Sequence, residues 1–397
     1  MKIWGRENFY KGQRGTCSVK LFFLGLIIII FCIFSCQNQK ITWRGSIKNE
    51  KGLTVVRNPA QPIYKKDIIS FEEELQIGSA DKSDKYIFSA IDGLDVDDNG
   101  HIYILDSRAA EVKVFGQDGE YLRSIGGRGQ GPGEMQMPLF LQITADNELV
   151  VQDLATQHFI YFSLDGRFLR KKAYWEERAL RAVRLDQQGN LIGLKIGAPP
   201  PMGGWVLRKY NSNFEPVMTL AEQPPDMAAK TEYNILRPTF YFDVFANDNI
   251  ILGHSEKYEL DILNPEGKLI KKILKTHRPL RIRDDDKDFY RERYESFIKI
   301  GGKLNFPGYF PCFSDLSVDN KGRIFIKTFE REKNKKDTFY FDIFDEEGKY
   351  LAKMPIVISL NRDSVWKNGK LYTVETNQDG VLLVRRFKVS FDIETKR

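Results

Sequence analysis

Leu94–Gly126 reads LDVDDNGHIYILDSRAAEVKVFGQDGEYLRSIG, and the order of residue types within it decides the architecture. Asn99-Gly100 and Asp118-Gly119 are turn pairs, because Gly and Asn accept positive φ cheaply. Four short strands flank the two turns, and consecutive strands pair antiparallel. The second strand, Ile102-Tyr103-Ile104-Leu105, is apolar without alternation. A strand with one wet face alternates, so a continuous run predicts cover on both faces.

The same unit recurs along the chain. Its first turn reappears at Asp146-Asn147, Gln188-Gly189, Asp248-Asn249, Lys321-Gly322 and Asn368-Gly369. Its second turn reappears at Asp165-Gly166, Ser212-Asn213, Glu266-Gly267, Glu347-Gly348 and Asp379-Gly380. The pairs predict two-residue hairpins. Leu149-Val150-Val151, Ile250-Ile251-Leu252 and Ile324-Phe325-Ile326 repeat the apolar run. Small sheets sandwiched between like sheets, at regular spacing, predict an all-β, six-bladed β-propeller. The sixth unit lacks a fourth strand, whereas Phe71–Gly78, FEEELQIG, matches the fourth strand of the first unit, GEYLRSIG. The N-terminal strand is therefore expected to close the last blade and remove its free edge. Long intervals predict insertions at about 220–238 and 275–311. Asp284–Ile300 predicts one short helix, with Tyr290, Tyr294, Phe297 and Ile298 at helical spacing and acids at its start.

The leader predicts an address. Leu21–Ser35 is almost uniformly apolar behind scattered positive charge, and is short for a spanning helix. Ile33-Phe34-Ser35-Cys36 looks like a lipobox, with Phe34 where a small residue is usual. The expected division is a signal peptide over 1–36 with lipid on Cys36, a tether over 37–52 and the propeller over 53–397. An uncleaved signal anchor and plain secretion are the alternatives, and all three place the body outside the cytoplasm. The formal charge of +6 falls to +2 without the leader, which argues against a nucleic-acid partner. The composition, with 28 Phe and 17 Tyr, favours strands.

With the unit before it, GGRGQGPGEM at Gly126–Met135 resembles the six-bladed β-propeller lipoproteins of Bacteroidetes-like bacteria, which are related to NHL repeats. Asn58-Pro59 fits the same pattern, and the resemblance spans roughly residues 53–390. It implies a fold and an envelope address but little chemistry.

Chemistry is thinly signalled. Gly126–Met135 lacks the Gly-Lys-Ser/Thr ending of a phosphate loop and reads as a tight crossing between blades, though Arg128 could offer charge to a ligand. His101, His158, His254 and His277 form no metal-ligand pair, so neither a metal nor a cofactor is expected. His254 could face the channel mouth. Asp106 and Asp153 end equivalent strands, either as local caps or as part of a carboxylate ring. Trp175 and Trp205, with Pro199–Gly204 between them in sequence, are read as loop residues that stack on a sugar or protein, or pack beneath their own loop. Cys312 has no partner in the mature chain and is read as a small buried side chain. No catalytic residue is assigned. The expectation is a lipid-anchored monomer that binds a protein or glycan, the alternative being a hydrolase or lyase with its site in the axial pocket.

Overall fold

A computed structural model describes residues 42–79, 83–174, 180–196, 204–225, 232–333, 335 and 337–393. The leader and Cys36 lie outside these, as do Trp175 and residues 199–203. Of the two compact units in the chain, Trp43–Arg397 is the one described.

This unit is a six-bladed β-propeller of four-stranded antiparallel sheets. The innermost strands of blades one to six are Ile91–Val96, Pro138–Ile143, Leu180–Leu185, Phe240–Val244, Asp315–Val318 and Val365–Lys367. In blade one the next strand, Ile102–Asp106, is buried at all five positions, as its unbroken apolar run requires. Each pair of neighbouring blades encloses its own apolar cluster. Ile104 and Phe115 of blade one meet Ile77, Tyr372 and Val384 of blade six, and blades five and six share Phe325, Ile343, Leu371 and Phe387. The ring therefore closes through packing as well as through strand pairing.

The closing strand is Ile69–Ile77, which pairs antiparallel with Leu382–Phe391 and completes blade six. The segment before it runs along the outer edges of two more blades. Ser46–Glu50 and Leu53–Asn58 form a hairpin whose second strand pairs parallel with Leu269–Lys275, making blade four six-stranded. Tyr64 then bridges to Ala352 of blade five. Asn58 is the clasp: its buried amide donates to Gly348 O at 2.8 Å, and its carbonyl accepts from Tyr350 N at 2.8 Å and Trp43 Nε1 at 3.0 Å. The stretch read as a tether thus contains a strand, Ser46–Glu50.

The turns differ from the two-residue form that the pairs suggested. Eleven of them are three-residue turns, as at Asp97–His101, where Gly100 N donates to Asp97 O and Asp97 N to His101 O. Only the last loop residue is left-handed in this geometry, so Gly100 has φ 81° while Asn99 does not have positive φ. The pair at Asn368-Gly369 is a true two-residue hairpin, with φ of 52° and 72° and Lys367 paired to Lys370.

The predicted single helix is two: α1, Asp284–Arg293, and α2, Glu295–Lys299. Tyr294 leaves the helical region at φ −107°, ψ 22°, and breaks the run. The two insertions meet, because Glu232-Tyr233 pairs parallel with Lys303-Leu304. Tyr233 packs on Phe297, while Leu236, Ile282 and Phe310 form a small core with Tyr290 at its margin. No helix among the described residues is long and apolar enough to cross a membrane.

Candidate functional site

Each innermost strand is paired on one side only, so its other edge presents backbone N–H and C=O groups to the axis. Such groups need partners. The next-to-last residues of these strands are Asp95, Gln142, Arg184, Asp243, Ser317 and Trp366. Three of them reach the next blade. Asp95 accepts from Ile143 N at 2.6 Å, and Asp243 accepts from Val318 N at 3.1 Å. Gln142 accepts from Leu185 N and donates to Leu185 O, both at 2.9 Å. These are staples between blades one and two, two and three, and four and five.

Arg184 breaks the pattern, since a guanidinium has no acceptor to offer a backbone N–H. It turns into the axis instead. Nη2 lies 2.9 Å from Asp363 Oδ1, and Nε lies 3.7 Å from Asp243 Oδ1. Asp363 belongs to the crossing between the outer strand of blade five, Tyr350–Ile356, and the innermost strand of blade six. Blade six stands opposite blade three, so this crossing spans the axis. Arg362 beside it places its guanidinium 5.2 Å from the Phe242 ring, and its Nε lies 3.7 Å from Asp363 Oδ1.

These groups line an axial cavity of about 660 Å³, together with Phe140 and Trp366. A second cavity of about 400 Å³ shares Asp95, Gln142 and Arg184 with it and opens among the turns of Asp98 and Asp248. Burial raises the Asp95 carboxyl to about 6 against the pull of Ile143 N and Val96 N. Burial likewise raises Asp315, which lines neither cavity, to about 6, and its one hydrogen bond among the described residues comes from Leu316 N. Asp243 is also pushed up by burial, which outweighs Arg184. At Asp363, whose side chain is exposed but stands inside the axial cavity, partial desolvation opposes ionisation, and Arg184 and Arg362 overcome it and hold the carboxyl below its ordinary range. Burial lowers Arg362, and Arg184 adds to the effect by repulsion.

The residues singled out from sequence lie elsewhere. Asp106 is buried and accepts from Ser89 N, Ala90 N and Ala109 N at 2.9, 3.2 and 3.2 Å. Asp153 repeats this with Gln136 N, Met137 N and Ala155 N. Both close local loops, and neither lines the axial cavity. Arg128 is exposed and donates to Gln136 O at 3.3 Å and to Arg108 O, within the Gly-rich crossing that buries Met135. Trp205 opens a strand, Trp205–Tyr210, paired with Ile196 and Gln223, rather than sitting in a loop. His254 ends a strand in blade four, its ring 5.0 Å from Phe240, and burial lowers its pKa. Cys312 is half-buried beside Glu256 O. Among the described residues no cluster suits a metal ion.

Sequence reasoning missed Arg184, Arg362 and Asp363. The signal was present in one place: Arg184 is the single cation at a strand position that elsewhere holds Asp, Gln, Ser or Trp.

Residues 82–188 match a family model described as a 6-bladed beta-propeller. A search of curated proteins gave no match. Among solved structures, a putative exported protein from Bacteroides fragilis is similar at 12% identity and TM-score 0.50, over 85% of this chain and 99% of that one. A member of the DUF4221 family from Bacteroides vulgatus is 11% identical at TM-score 0.49, over 82% and 100% of the two chains. Virginiamycin B lyase from Staphylococcus aureus is 8% identical at TM-score 0.40, over 81% and 99%. At these identities the likeness concerns the fold alone.

Proposed function

We propose that this chain is a binding module of the bacterial envelope, held outside the cytoplasm by lipid on Cys36, and that its axial cavity receives part of a glycan. The observation that carries the reading is the lining of that cavity. Asp95, Gln142, Asp243, Arg184 and Arg362 are planar groups with several hydrogen-bonding atoms each, gathered with Phe140 and the indole of Trp366 around about 660 Å³. A polyhydroxylated ring offers donors and acceptors at matching density, and an apolar face for an aromatic ring. A cavity of this size suits a sugar residue better than a folded protein surface. The Trp366 indole N–H is buried and has no hydrogen-bond partner among the described residues.

Calorimetric titration of the soluble domain with a panel of oligosaccharides tests the site. Binding that survives Trp366→Leu and Arg362→Met unchanged would place the ligand elsewhere and end this reading. Palmitate labelling of the wild type and of Cys36→Ala tests the anchor, since a label retained by the variant excludes lipid at that thiol.

A further inference from the structure

Two guanidinium groups approach one carboxylate at the axis, and the three groups are held unequally. The side chains of Arg184 and Arg362 are 19% and 21% exposed, whereas that of Asp363 is 71% exposed. Arg184 and Arg362 have lost much of their water and repel each other, so they need an anion between them. Asp243 answers only part of that need. It lies 3.7 Å from Arg184 Nε and is already engaged by Val244 N and Val318 N. Asp363 supplies the rest from a crossing loop, through one contact of hydrogen-bond length, 2.9 Å to Arg184 Nη2, while Val183 O and Arg362 O also accept from Arg184, so the unmet demand lies on Arg362. The Arg362 Nε–H is buried with no hydrogen-bond partner among the described residues, because Asp363 stops 3.7 Å short of it. The fork is therefore under-filled by its own counter-anion. A carboxylate arriving from solvent could reach both guanidinium groups at hydrogen-bond distance, and an exposed ion pair such as that of Asp363 is weakly held.

We propose that Asp363 keeps the seat of a ligand carboxylate, and that the axial cavity recognises a uronate residue of an acidic glycan whose carboxylate displaces Asp363 from Arg184 and Arg362. This rests on the glycan reading above and narrows it to a charged class. The displaced Asp363 side chain returns to water, which it already faces. Asp95, which lines the same cavity and keeps carboxylate lone pairs beyond its bonds to Ile143 N and Val96 N, remains for a ring hydroxyl. A neutral sugar would leave the fork with its internal anion and gain nothing from it.

The test is titration of the mature protein with tri-galacturonate, its methyl ester, a neutral trisaccharide and tri-glutamate. The ester keeps the sugar rings and removes the charge; the peptide keeps carboxylates and removes the rings. The expected result is binding of tri-galacturonate at least tenfold tighter than of its ester, with tri-glutamate weaker still. Asp363→Asn removes the competing anion and should tighten tri-galacturonate by about tenfold while leaving the neutral trisaccharide unchanged. Arg362→Met should abolish the preference for acid over ester, with its melting temperature reported beside that of Asp363→Asn to separate misfolding from lost recognition. An ester that binds as tightly as the acid, a weaker Asp363→Asn, or a peptide that binds as well as the sugar overturns the proposal. Neutral binding without an acidic preference sinks the uronate and leaves the glycan reading standing. No binding by any saccharide ends both.

Discussion

Ser70 and Ser390 face each other across the seam that closes blade six, and both are exposed. Replacing both by cysteine, with Cys312→Ser to remove the half-buried thiol, should allow a disulfide within the chain. Directly opposed residues of an antiparallel pair have Cα atoms about 4.5–5.5 Å apart, inside the range a disulfide spans. The bond would join positions 70 and 390, which are 320 residues apart in sequence. Chain-entropy reasoning gives a loss of about 2.1 + 1.5R ln 320, or roughly 19 cal/mol/K, from the unfolded state, which is about 5–6 kcal/mol at 25 °C as an upper bound. With an unfolding entropy of about 2.1 cal/mol/K per residue over roughly 350 residues, the melting temperature should rise by up to about 8 °C. The assay is a thermal melt of the oxidised protein against the same protein under reductant, with a non-reducing gel to show that the link is intramolecular. A link that forms only between chains, or an oxidised melting temperature no higher than the reduced one, would refute closure by the N-terminal strand. If that strand merely lay against the ring, the cross-link would constrain little that unfolding releases.

Three further outcomes follow from the packing and the charges. Asp106→Ala strips the partner from three backbone N–H groups and should cost about 2–4 kcal/mol by urea denaturation, yet leave ligand affinity unchanged; a loss of binding without loss of stability would restore Asp106 to the site. Gly93→Ala would set a Cβ 2.7 Å from Leu141 Cβ and push blade one off blade two, costing about 1–3 kcal/mol, and an unchanged urea midpoint would contradict that contact. Asp95 titrates near 6 when folded and near 3.8 when not, so the folded state holds more protons between these values and loses stability as pH rises through them. The stability of Asp95→Asn relative to wild type should therefore improve by up to about 3 kcal/mol between pH 4 and pH 7.5, and a flat difference would mean that Asp95 is ionised normally.

The periodic part of this protein was legible because periodicity is what sequence displays. Positive-φ turns demand Gly, Asn or Asp at fixed places, and twice-covered strands demand unbroken apolar runs. Those two constraints gave six units and, through the unmatched FEEELQIG, the seam. Details failed where one residue pair serves two geometries. Asn99-Gly100 reads the same in a two-residue hairpin and in a three-residue turn, and only the hydrogen bonds between Asp97, Gly100 and His101 decide. The outer hairpin of residues 46–58 was illegible for another reason. Its strand Ser46–Glu50 is exposed at four of its five positions, so no apolar pattern marks it.

The axial site failed for a deeper reason. Asp106 and Asp153 recur at equivalent strand ends, yet such recurrence in a repeat protein marks a shared structural need, here in blades one and two a carboxylate to collect stray N–H groups at a loop. The Asp95, Gln142 and Asp243 staples are likewise answers to a need shared by every inner strand, whose free edge must find partners. Function in such a ring should be sought where a blade declines the shared solution. Arg184 does so, as Ser317 and Trp366 do, but it alone brings positive charge to a desolvated axis, and so requires Asp363 to cross from the opposite blade. A chain selected for stability alone would have kept an acceptor at position 184, because that residue closes the ring without any partner from afar. The departure has a cost in folding and no visible return there, and the binding role proposed for the guanidinium would account for keeping it.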